Sequence, residues 1–183
     1  DCSCAMGGCS ALRCFNGPQS WKLGWADLVA SLDRAAQLPI GLWVVFNLPA
    51  MQRNPTNTVR LTAAWQPPLD YTSYFFSYRD KSGGDAGIPN GYTGRISVHE
   101  FMGQAGVYDP QKSMLLWTLL QGEEWPDGPR MARVRAKFLG MTAAGEAILA
   151  VCRILTTTGT ECTATMPSQP PSPPPPPSPT PPP

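Results

Sequence analysis

Apolar residues recur along this chain with two periods, and the change from one to the other divides it. From Trp21 to Gln37 the spacing is three and four. Trp21, Trp25, Leu28, Val29, Leu32 and Ala36 share one face of a helix, with Asp27, Asp33 and Arg34 largely off it. Asn16-Gly17-Pro18 reads as a turn ahead of that helix, Ser20 as its N-cap, and Pro39 ends it. Beyond Pro39 the period falls to two. Gly41–Leu48 is an apolar, β-branched and aromatic run between prolines, which predicts a buried strand. Thr58–Trp65 alternates Val59, Leu61, Ala63 and Trp65 with polar neighbours, as a half-buried strand does.

Further strands are expected over Tyr71–Arg79, Arg95–Phe101, Lys112–Gln121, Ala132–Phe138 and Glu146–Leu155, with a short closing strand near Thr156–Thr165. Lys112–Gln121 is apolar on both faces and is expected at the centre of a sheet. The Gly-rich stretch Asp80–Thr93 predicts a surface loop, and Pro126-Asp127-Gly128-Pro129 a turn. Seven to eight strands at this spacing, with one N-terminal helix capping an edge or open end, predict a mainly β fold, an antiparallel β-sandwich. No internal repeat is present.

The pattern stops at Pro167. Of the seventeen residues from Pro167 to Pro183, twelve are proline and none is charged, aliphatic or aromatic. Proline fixes φ and removes the backbone donor, so this stretch predicts a polyproline II tail, a semi-rigid rod of roughly 50 Å. The organisation expected is a disulfide-rich cap over 1–19, a globular sandwich head over 20–166 and the proline-rich rod over 167–183. About 166 residues suffice for one hydrophobic core.

Six cysteines set the compartment: Cys2, Cys4, Cys9, Cys14, Cys152 and Cys162. An even number, four of them within fourteen residues of few apolar side chains, points to disulfides and an oxidising, extracellular setting. A four-thiolate zinc site is the rival, but the C-x-C-x4-C-x4-C spacing is poor for it and no histidine lies nearby. Six cysteines allow fifteen connectivities. At least one bridge is expected to join the two ends of the domain and anchor the rod to the cap. The chain opens directly on Asp1, as a mature chain does after cleavage of a leader. A net charge of +1 gives no reason to expect nucleic acid, and no apolar run is long enough to insert in a membrane.

Candidate chemistry is sparse. His99 is the only histidine. His99-Glu100 begins the H-E-x-x-H zinc-protease motif, but Gly103 occupies the second histidine's place and the setting is a strand, not a helix. No G-x-S-x-G elbow or phosphate-binding glycine loop occurs, so catalytic and metal sites are expected to be absent, no cofactor is expected, and the chain is read as not an enzyme. Arg133, Arg135 and Lys137 make a basic ladder, either a solvated face or a docking surface for anionic sugars or an acidic partner. Tyr74 and Tyr78, in a run of aromatics from Tyr71, offer rings to sugars or to a protein. Trp125, in a turn, is expected to be the most exposed aromatic.

The tail carries a resemblance. Pro170–Pro183 resembles the shafts of hydroxyproline-rich glycoproteins of plants and volvocine green algae, among them pherophorins, sexual agglutinins and flagellar mastigoneme proteins. The N-terminal Cys-x-Cys is loosely similar to pherophorin domains. The resemblance implies hydroxylation and O-glycosylation over Pro170, Pro171, Ser172, Pro173, Pro174, Pro175, Pro176, Pro177, Ser178, Pro179, Thr180, Pro181, Pro182 and Pro183. Algal extracellular proteases also carry such segments, but the missing second histidine argues against a catalytic domain of that kind. The function expected is that of a structural extracellular glycoprotein assembling, with itself or with other glycoproteins, into cell wall, matrix or surface filament. The alternative is a lectin-like module that binds matrix glycans.

Overall fold

Asn16 begins the first helix. Its side chain accepts a hydrogen bond from the Gln19 backbone N–H at 3.1 Å, and Pro18 sits in the first turn, so helix α1 runs Gly17–Lys22. The helix expected to reach Gln37 stops there, and Ser20 lies inside it instead of capping it. Gly24, at φ +71, turns the chain, and the residues with helical spacing form strand β1 (Asp27–Leu32) and a 3-10 turn (Ala35–Gln37). The three-and-four spacing arose because a short helix, a turn and a strand follow one another within one window. Pairing of β1 with a neighbouring strand outweighs the weak local preference.

The computed structural model describes residues 4–5, 13–65, 72–103, 111–126, 133–156 and 160–162. Cys2, Cys9, Tyr71 and the stretch 167–183 with its modification candidates lie outside the described residues, as does most of the short strand expected over Thr156–Thr165. After β1 come β2 (Trp43–Leu48), β3 (Thr56–Thr62), β4 (Ser73–Arg79), β5 (Arg95–Phe101), β6 (Met114–Leu119), β7 (Glu124–Pro126), β8 (Val134–Met141) and β9 (Ala147–Arg153). They form two sheets, β1-β3-β4-β5-β6 and β2-β9-β8-β7. All pairings are antiparallel except β1 with β3, which run parallel because the chain visits the other sheet through β2 between them.

The sheets pack face to face. Leu61, Phe76, Val98 and Leu119 from one meet Leu48, Phe138, Leu149 and Val151 from the other, all at most 1% exposed. Burying each such side chain contributes about 1.5–3 kcal/mol. The mainly β sandwich that the alternation predicts is the fold. β6 is an edge strand, not a central one. Two of its apolar side chains stay open to solvent, with Met114 61% and Trp117 52% exposed. β7 is a strand where only a turn was expected.

The outer face of the five-stranded sheet carries α1. Thr58, Ser77, Ser97 and Thr118 stand in register across four strands, and this row of short side chains admits Gly17 close to the sheet. A Cβ on Gly17 would lie 3.1 Å from Ser77 Oγ. Trp21 packs on Phe75 at 5.3 Å between ring centroids, and Arg60 lies over Trp21 at 5.0 Å. This cover explains why every residue of β4 is buried, on both faces of the strand.

The outer face of the four-stranded sheet carries the Cys152–Cys162 disulfide, packed with Trp43, Ala150 and Ile154. Trp43 Nε1–H donates to the Cys162 carbonyl at 3.0 Å. The expected bridge between the two ends of the domain is not the one these cysteines make. Residues 160–162 fold back over β9, so Cys162 meets the cysteine ten residues before it.

Candidate functional site

His99 stands on the outer face of β5, opposite Phe75 of β4 and Leu115 of β6. It is wholly buried. Burial first, and then the nearby Arg79 guanidinium, lower its pKa to about 3. The imidazole is therefore neutral throughout the range in which a surface histidine titrates. Glu100, the next residue, faces the other side of the strand, so the two cannot converge on one ligand as they do across a helical turn.

The densest polar cluster lies on the same face. Arg79, the last residue of β4, and Asp85, in the 3-10 turn Gly83–Asp85, form an ion pair with both side chains fully buried. Arg79 Nε–H donates to Asp85 Oδ2 at 2.9 Å, and a second guanidinium nitrogen donates to Oδ1. Two hydrogen bonds tie the N-terminal segment to this pair. The Cys14 N–H donates to Asp85 Oδ1 at 2.8 Å, and Arg79 donates to the Cys14 carbonyl at 3.2 Å. Desolvation, and then the Asp85 carboxylate, push the Cys14 thiol pKa up. Sequence reading missed this pair, whose one signal was an arginine closing an aromatic strand just before a Gly-Gly-Asp loop.

The remaining candidates separate. Tyr74, Tyr78 and Trp125 are each at most 7% exposed, so they offer no ring to a ligand. The expectation for Trp125 is corrected: in β7 it turns into the core and packs on Tyr74 and Phe76 at 5.6 and 6.0 Å. The exposed aromatics among the described residues are Trp25, at 63%, and Trp117. Arg135 and Lys137 lie on β8, and Arg133 directly precedes it. Arg135 pairs with Glu124, Lys137 stands opposite Glu124 in register, and Arg133 donates to the Leu155 carbonyl. Cys4 and Cys14 carry thiols in the structure.

A family model, gametolysin peptidase M11, matches residues 1–114, from the cysteine-rich segment to the first residue of β6. No curated protein and no solved structure matches. The match overturns the expectation that the chain is not an enzyme, because the family is one of metallopeptidases, related to the volvocine algal cell wall. Peptidase chemistry of that kind implies a metal, and the described residues do not fit one. No three of His, Cys, Asp and Glu among them are grouped to hold an ion, and the single imidazole is sealed inside the sheet. None of the described helices is long and apolar enough to cross a membrane. By the match over most of its length, this chain belongs to the gametolysin peptidase M11 family.

Proposed function

We propose that this chain works outside the algal cell, at the wall, in the proteolysis of wall glycoprotein. The sandwich is the rigid support of that activity, and the stretch 167–183 is a hydroxylated, O-glycosylated rod that holds it in the matrix. The observation that carries this reading is the family match over residues 1–114. Support also comes from the closed nature of the described domain. His99 is neutral and inaccessible, and Arg79 and Asp85 neutralise each other, so these three groups hold the domain together. The metal and the water-activating group would come from residues beyond those described. A glycan-recognition role draws no support from Tyr74, Tyr78 or Trp125, which lie in the core.

The test is to add the secreted chain to isolated walls and follow both retention and release of hydroxyproline-containing peptides, with and without a metal chelator. Retention together with chelator-sensitive release supports the whole reading. Retention alone assigns this chain the supporting part and places catalysis elsewhere. Neither retention nor release overturns the proposal.

A further inference from the structure

We propose that Cys4 and Cys14 form a second disulfide, which straps the N-terminal segment over the buried Arg79–Asp85 pair. The two residues are held side by side by two hydrogen bonds. The Ala5 N–H donates to the Cys14 carbonyl at 3.3 Å, and Arg13 Nε–H donates to the Cys4 carbonyl at 2.8 Å. The Ala5 nitrogen and the Cys14 oxygen each lie about 2.4 Å from the α-carbon of the cysteine concerned, which keeps the two α-carbons within about 8 Å. Disulfides span roughly 4.4–6.8 Å, a range that lies inside this limit. Cys4 is 5% exposed, and the Cys14 sulfur packs above Gly84, where an added Cβ would meet it at 2.4 Å. Cys4 is thus buried and Cys14 half-buried, on neighbouring stretches of backbone.

The chemistry is thiol–disulfide exchange with an external disulfide such as oxidised glutathione. One thiolate attacks the external disulfide and expels a thiol. The second then attacks the mixed disulfide, closes the Cys4–Cys14 bond and expels the other. Two protons and two electrons leave the protein and reduce the external disulfide to two thiols. Since the Cys14 backbone binds both Arg79 and Asp85, the bond fastens the strap directly to the charged pair.

Alkylating free thiols on the native, oxidised chain and mapping it without reduction tests the assignment. The expected result is a linked Cys4–Cys14 peptide with neither cysteine alkylated. Alkylation of either one, or a bond from either to Cys2 or Cys9, overturns it. A stability cycle provides the second readout. The loop closed is ten residues, as in Cys152–Cys162, so losing the bond should shift the unfolding equilibrium by roughly 100-fold. Cys4→Ser, Cys14→Ser and the double variant should all show that same shift. Effects of the two single changes that add in the double would mean packing and not a bond, and would sink the proposal.

Discussion

Acid should unsettle this domain through His99 before it reaches most carboxylates. The folded-state pKa is about 3, against about 6.5 for an unfolded histidine, so between those values the unfolded chain binds the proton first. Stability is complete above pH 6.5 and falls as the pH drops. By pH 4.5 the loss is about 2–3 kcal/mol. Urea midpoints measured from pH 7.5 to 4.5 should follow that slope, and His99→Gln should flatten it whatever its absolute stability. Asp85→Ala tests the neighbouring pair. It leaves the Arg79 charge buried without its partner, at a cost of about 3–5 kcal/mol. An unchanged denaturation midpoint would show that Arg79 finds water in the folded state.

Among the elements, β7 decides how its aromatic is read. Trp125 packs between Tyr74 and Phe76, so Trp125→Ala should cost about 3–5 kcal/mol and lower the thermal midpoint, where a surface tryptophan would be nearly silent. Trp117→Ala, on the half-open edge, is the control and should change little. Strands such as β8 were legible because one face is buried and the other is not. Val134, Ala136 and Phe138 alternate with Arg135 and Lys137, and β8 places them as that alternation requires. Two things were not legible. The turn at Gly24 makes a helix and a strand imitate one long helix, and β6 is apolar on both faces although no strand covers its free edge. The site was read less well. The burial of His99 depends on α1 crossing the far side of the sheet, and the Arg79–Asp85 pair depends on a loop folding back by six residues onto a strand end. Neither leaves a periodic trace. The half-motif at His99-Glu100 lies on a strand with its imidazole buried, and the step from there to no enzyme treated one stretch of chain as the whole of the chemistry.

At the scale of the whole molecule, the disulfide stands where the sandwich passes into the proline-rich end of the sequence. Its consequence is mechanical. Tension applied through the chain beyond Cys162 enters the body at Cys152, because the bond bypasses the segment between the two cysteines. Cys152 lies on β9, which is flanked by β2 and β8 and so is held by ladders on both sides. A load brought in there must shear two rows of hydrogen bonds at once, while the same load on an edge strand would peel one row open bond by bond. In single-molecule extension from the C-terminal side, the Cys152→Ser/Cys162→Ser variant should yield at lower force and lengthen by roughly 30 Å more on full unfolding. Equal contour lengths in the two proteins would show that the bond is not in the load path. A pull from the C-terminal side therefore meets the sandwich at a strand held by ladders on both flanks.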